Sequence, residues 1–261
     1  MAEYLPASVA EQSIEDECRE LFEVYGGNGN RLYNNEIVLD LDLSPEEAQE
    51  WTMQKLAQAK LAGKLVGIVA GAFDVPQENH VWFLRHARYL LAKKYLQING
   101  YSDDTNSIRD TIESDSIFLV VSIDSDISLD NRKSNDFLKG GVKRPIYGWS
   151  TRANQVASHN FIDRHNQKVR HGIADLVIPG GPDYEATILE QTKITAHMLH
   201  NEPFCLIDEY IVFDEHPDDI TNAIGSGFDP LVIPMELIYS NDPLTGKGYK
   251  SSAIIKRIRG E

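Results

Sequence analysis

The chain has 261 residues, 42% of them hydrophobic and 25% charged, with a net charge of −15, which is enough apolar content to bury a core as one large domain or a domain with an appendage. So acidic a balance excludes general nucleic-acid binding, which needs a basic face, and only Cys18 and Cys205 are present, which excludes a disulfide scaffold or a cysteine zinc site and makes each a small core residue. No apolar run approaches the ~18 residues of a membrane span, and the opening Met1-Ala-Glu-Tyr-Leu-Pro6 has no basic segment followed by an apolar one, so cytoplasmic residence without membrane contact is the expectation.

The acidity is uneven. Residues 1–62 carry thirteen Asp/Glu against four Lys/Arg, which makes −9 of the total. Residues 1–63 read as an acidic, mainly helical N-terminal extension, with a helix over Val9 to Phe22, a polar loop from Gly26 to Asn30, a short strand from Glu36 to Leu41 and a helix from Pro45. For the last helix Ser44 is the N-cap, Pro45 the first helical residue, Glu47 the capping-box partner and Gly63 the stop. The Gly26 loop lacks the Gly-Lys-Ser/Thr ending of a P-loop and has no apolar strand before it, which makes it a plain turn.

Leu65 to Ala70 is a nearly unbroken apolar run, the pattern of a strand buried on both faces, and Gly71 is expected to turn the backbone sharply. A helix begins near Asn79, with Val81, Leu84, Leu91 and Leu96 at roughly helical spacing and Arg85, Arg88, Lys93 and Lys94 for the other face. A strand feeding a helix through such a turn aims backbone N–H groups and the positive helix end at one spot, which suits a phosphate. A polar insert, Asn99 to Ser116, precedes a second β-rich run, Ile117 to Ile123, which ends in Asp124-Ser125-Asp126. From Arg132 to Arg152 there are six Lys/Arg (Arg132, Lys133, Lys139, Lys143, Arg144, Arg152) and one acidic residue, Asp136. Such a basic island suits a polyanionic substrate, and it also suits a solvated loop.

Thr151 to His171 is polar and helix-like. His159, His165 and His171 fall six apart, which puts successive rings on divergent faces and makes them exposed surface histidines rather than metal ligands. Ile173 to Pro179 is compatible with a strand and Tyr184 to His200 with a helix. Glu209 to Phe213 reads as a strand, Asp214 to Asp219 as an acidic loop opening a helix, and Asp229 to Ile233 as a further strand. Ser251 and Ser252 serve either as helix N-caps or as donors to phosphates.

Gly71-x-Phe73-Asp74-x-x-Gln77-x-Asn79-His80-x-x-x-Leu84 resembles the G-x-F-D-x-x-H-x-G-H-x-x-x-L signature of the cytidylyltransferase-like nucleotidyltransferases, with Gln77 at the first histidine and Asn79 at the glycine. The order Val120 to Asp126, Asn131-Arg132-Lys133, Lys139-Gly140 with Lys143-Arg144-Pro145, Arg152, and finally Ser251-Ser252-Ala-Ile254-Ile255 is similar to the glycerol-phosphate and heptose-phosphate branch of that superfamily. The resemblance covers about 64–154 and 207–259, leaving residues 1–63 and an insertion at about 155–206 outside it. It implies an α/β fold, a Rossmann-like parallel sheet with helices on both faces, and a nucleotidyltransferase domain over 64–261 with its site at the carboxyl ends of the first and fourth strands.

The implied reaction joins CMP or AMP from CTP or ATP to a phosphorylated small molecule such as a polyol or sugar phosphate. His80, Gln77, Lys139 and Arg144 would be catalytic. Gly71, Ala72, Phe73, Asp74, Ser251, Ser252 and Ile254 would hold the nucleotide, and Asp126, Arg132, Lys133 and Arg152 the acceptor. Mg²⁺ would bridge phosphates without a dedicated protein site, and a homodimer is compatible with the resemblance. A family member with weakened catalysis that binds a nucleotide or nucleotide-sugar is the alternative. An NAD(P) enzyme is disfavoured because Gly71-Ala-Phe-Asp-Val-Pro76 lacks G-x-G-x-x-G.

Overall fold

The apolar run from Leu65 becomes the central strand of a five-stranded, wholly parallel sheet. The computed structural model describes residues 38–39, 43–74, 78–131, 144–162, 169–181, 206–214, 217–225 and 227–234. In chain order the elements are α1 (Pro45–Leu61), β1 (Leu65–Gly71), α2 (Glu78–Ile98), α3 (Thr105–Glu113), β2 (Ile117–Asp124), α4 (Trp149–Ala157), β3 (Asn160–Ile162), β4 (Val169–Gly172), β5 (Leu176–Gly180), β6 (Glu209–Phe213), α5 (Pro217–Gly225) and β7 (Leu231–Ile233). The sheet order is β5-β2-β1-β6-β7, with helices packed around it: α2 against β1, β2 and β7, α4 against β5 and β2, α5 against β6 and α1 against β1. Burial on both faces explains why β1 and β2 read as continuous apolar runs instead of alternating ones. The chain moves outward from β1 through β2 to β5, then returns across β1 to β6 and β7. Strand order therefore reverses between β1 and β6, and open α/β sheets leave a crevice at the carboxyl ends there.

Gly67 lets α2 approach β1. A Cβ at that position would stand 2.9 Å from Leu91 Cδ1 and 3.3 Å from Ile211 Cδ1. Helix α1 starts as its sequence dictates: the Glu47 N–H donates to Ser44 Oγ at 3.3 Å and the Ser44 N–H donates to Glu47 Oε2 at 2.9 Å, and Gly63 follows the helix at φ 77°. Val38 bridges Val177 in parallel fashion and Leu39 is buried, so this part of the N-terminal stretch lies along the outer edge of β5. The expected helix over 9–22 and the loop at 26–30 lie outside the described residues, as do Cys18 and Cys205. Among the described residues no helix is long and apolar enough to cross a membrane.

Two sequence expectations are corrected. The insert at 99–116 contains α3, capped by Asp104 Oδ1 accepting from the Asn106 and Ser107 N–H groups and anchored by buried Ile108 and Ile112 one turn apart. The helix from Thr151 does not reach His171: α4 ends at Ala157, and an antiparallel β3–β4 hairpin follows. The run from Ile173 to Pro179 that is compatible with a strand does join the main sheet as β5, with Leu176, Val177 and Ile178 buried beside β2.

Two aspartates start the ladders at the amino edge of the sheet in the same way. Asp175 precedes β5, donating its N–H to Leu119 O at 2.9 Å and accepting the Leu119 N–H on Oδ2 at 2.7 Å. Asp208 precedes β6, donating to Val66 O and accepting from the Val66 N–H, both at 2.8 Å. Each carboxylate supplies the acceptor that a shorter strand lacks, and each is balanced by a helix cation: Arg88 Nη1 donates to Asp175 and Lys60 Nζ to Asp208, both at 2.5 Å. Arg88, expected on the outer face of α2, is thus fully buried, its Nη1 also donating to Ile173 O at 3.2 Å.

Removing one partner of a buried ion pair strands the other charge, so Asp175→Ala should cost ~3 kcal/mol or more in urea denaturation. Asp115→Ala, which frees Lys64 in a part-exposed pair, should cost ~1 kcal/mol or less. Equal losses would contradict the assignment of Arg88 and Asp175 as the buried brace.

Candidate functional site

The carboxyl end of β1 carries Ala72, Phe73 and Asp74, and the first turn of α2 carries His80. The left-handed residue of this turn is Phe73, at φ 47°, and not Gly71 as expected. Gly71 is needed for a different reason: a Cβ there would stand 2.9 Å from Phe73 Cε2, so the Phe73 ring folds back over it. Phe73 is buried, lying 5.4 Å from the His80 ring and 6.4 Å from Phe83, which stacks at 4.0 Å on Phe213 at the end of β6. This row of aromatics joins the ends of β1 and β6, where the strand order reverses.

Burial is the main reason that the His80 pKa falls to about 4, and the charges of Arg144 and His159 push it the same way. The imidazole is therefore neutral at pH 7. His159, expected among the exposed histidines, is half-buried and near enough for its charge to be felt at His80. The six-residue spacing of the histidines carried no sign of this tertiary neighbour. His86, one turn and a half further along α2, is likewise held at about 4 by burial and by the charge of Lys93.

Two buried side chains of opposite charge organise the loops around His80. Asp74, 1% exposed, accepts from Arg144 Nε at 2.6 Å, from the Ile146 N–H at 2.6 Å and from the Tyr147 N–H at 3.2 Å. Arg152, fully buried in α4, donates through Nη1 to Ala72 O at 2.5 Å, through Nη2 to Asp124 O and Asp126 Oδ1 at 2.7 Å each, and through Nε to Tyr147 O at 2.9 Å. Asp74 collects amides and Arg152 collects carbonyls. Tyr147, which no sequence signal singled out, is held by both.

No protein-family model matches the chain, and no curated protein matches it.

The structure thus brings Gly71, Ala72, Phe73, Asp74, His80, Asp126, Arg144 and Arg152 to one end of the sheet. It turns Arg152 and the Asp74 carboxylate inward onto protein groups, while the Asp126 side chain is 47% exposed. Trp149 fixes the start of α4 there by donating its Nε1 hydrogen to Ile123 O at 3.0 Å. Gln77, Arg132, Lys133, Lys139, Ser251, Ser252 and Ile254 lie outside the described residues.

His80 and His86 predict a pH dependence. With folded pKa values of about 4 against 6.5 in the unfolded chain, the unfolded state binds more protons between those limits. Stability therefore rises with pH through this window and is lost as pH falls toward 4, by up to about 3 kcal/mol per histidine. Urea denaturation across the window should show a shallower pH dependence for His80→Asn than for the wild type; identical slopes would contradict a half-buried His80 held neutral.

Proposed function

We propose that the protein is a nucleotidyltransferase that joins CMP or AMP, taken from CTP or ATP, to a phosphorylated small molecule and releases pyrophosphate. The observation that carries this reading is a neutral His80 on the first turn of α2, within reach of the charge of Arg144, at the strand-order reversal beside β1. A polyanion placed at a helix N-terminus meets oriented N–H groups and the positive end of the dipole. A phosphate oxygen of the acceptor attacks the α-phosphorus, the bond from that phosphorus to the bridging oxygen breaks, and pyrophosphate leaves with the electron pair. Such chemistry needs positioning and fixed positive charge more than a covalent intermediate.

His80 donates an N–H to the triphosphate, and an anion beside it would draw its pKa back up. Among the described residues Arg144 spends only Nε on Asp74, and a guanidinium can grip a phosphoryl group through its other edge. Gln77, Lys139, Arg132, Lys133, Ser251, Ser252 and Ile254 join this reading through the sequence resemblance, Lys139 beside Arg144 in catalysis and the serines on the outer phosphates. The described residues gather no set of three His, Cys, Asp or Glu side chains able to hold a metal; Mg²⁺ would arrive on the triphosphate and neutralise its charge.

Gln77 supports a second reading, a module that binds nucleotide without turning it over, because an amide carries no charge where the family signature has an imidazole. Steady pyrophosphate release from CTP or ATP with a phosphorylated acceptor would exclude that module. CTP or ATP with Mg²⁺ should raise the thermal midpoint, and His80→Ala should lower turnover about 100-fold with the fold intact. In an active enzyme Gln77→His should change the rate by no more than about tenfold. No thermal shift with either nucleotide, or normal turnover in His80→Ala, would overturn the assignment.

A further inference from the structure

We infer that Arg152 is the positioning residue of this site, acting through the Ala72–Phe73 peptide so that the Phe73 N–H faces the bound phosphates. The inference rests on reading residues 71–80 as the nucleotide cradle, and it moves Arg152 from acceptor binding to backbone control.

The guanidinium is fully buried and makes four hydrogen bonds to described residues, three of them to backbone carbonyls from three different segments: Ala72 after β1, Asp124 at the end of β2 and Tyr147 ahead of α4. With four of its five N–H donors engaged and no exposed surface, it is closed to a substrate. Its effect on Ala72 is directional. The 72–73 peptide is not among the cis bonds of the described chain, and a planar trans peptide aims its N–H opposite to its C=O. With Ala72 O drawn toward Arg152, the Phe73 N–H points away from it, and among the described residues that N–H makes no hydrogen bond. Phe73 holds φ 47°, a backbone state that costs a residue with a Cβ some strain and persists only where its surroundings enforce it. Here three groups enforce it: Arg152 on the preceding carbonyl, the aromatic packing of the Phe73 ring, and Asp74 anchored to 144–147. A turn with left-handed φ at one residue presents successive N–H groups to an anion.

The test compares the wild type with Arg152→Lys, each labelled with ¹⁵N-phenylalanine, ¹⁵N-histidine and ¹⁵N-arginine, by NMR and by calorimetric titration with magnesium pyrophosphate. A lysine keeps the charge but cannot reach three carbonyls at once. The Phe73 amide resonance should already differ in unligated Arg152→Lys, and affinity for pyrophosphate should fall about tenfold, as for the loss of one hydrogen bond. A purely structural arginine would lower the thermal midpoint and leave the affinity of the folded protein unchanged; that result, or an unmoved Phe73 resonance in the unligated variant, overturns the inference. Should Arg152→Lys not fold, Arg152→Gln, which buries no charge, takes its place. Should neither fold, the wild type decides through its side-chain arginine signals. Pyrophosphate must move the Phe73 amide and leave the Arg152 guanidinium signals in place, and movement of the guanidinium signals without the amide overturns the inference. If pyrophosphate moves neither Phe73 nor His80 signals, the nucleotide reading fails, while the unligated comparison still tests whether Arg152 sets the peptide.

Discussion

The carboxyl edge of this sheet depends on one arrangement, the grip of Asp74 and Arg152 on the same short loop. A buried carboxylate is tolerated when it accepts several N–H groups, and a buried guanidinium when its donors find acceptors. Here each solves the other's problem through Tyr147, whose N–H goes to Asp74 and whose carbonyl goes to Arg152. Without that loop Asp74 would lose the Ile146 and Tyr147 amides, and without Arg152 the ends of β1 and β2 would lose a shared donor. The grip also fixes what is left for chemistry: Arg144 stands beside Asp74 by its Nε, and its charge reaches His80.

The two edges of the sheet use charge differently. At the amino edge Asp175 and Asp208 each close a ladder against a neighbouring strand and take a cation from a helix, which leaves the charges compensated within the scaffold. At the carboxyl edge the compensation is between loops, and it leaves a neutral imidazole at a helix start within reach of the charge of Arg144. An edge of the first kind stabilises the fold. An edge of the second kind would receive the anion of the proposed function, since burial and fixed positive charge both keep His80 unprotonated until negative charge arrives.

Much of the scaffold was legible because its signals are local. The capping box at Ser44 and Glu47 sets the start of α1, and the two-sided burial of β1 and β2 imposes uninterrupted apolar runs. Helix α3 carried readable signs, Asp104 as a cap and Ile108 and Ile112 four apart, but its polar surface hid them. The destinations of the charged side chains were not legible. Arg88 and Arg152 look like any surface arginine in a helical stretch, and only the tertiary positions of Asp175, Ala72 and Asp124 draw them inside. The turn after β1 shows the same limit: Gly71 marks it in sequence, yet the left-handed residue is Phe73, because the ring must fold over Gly71 while Arg152 takes the carbonyl before it.

In the proposed function a nucleoside triphosphate binds at the carboxyl ends of β1 and β6, against the start of α2. A crystal structure of the protein with Mg²⁺ and a non-hydrolysable analogue of CTP or ATP tests it most directly. Phosphate oxygens are expected within hydrogen-bonding distance of the Phe73 N–H, the His80 ring and the Arg144 guanidinium, with Arg152 untouched. A nucleotide seated at the amino edge, or one whose phosphates contact none of these groups, would contradict it.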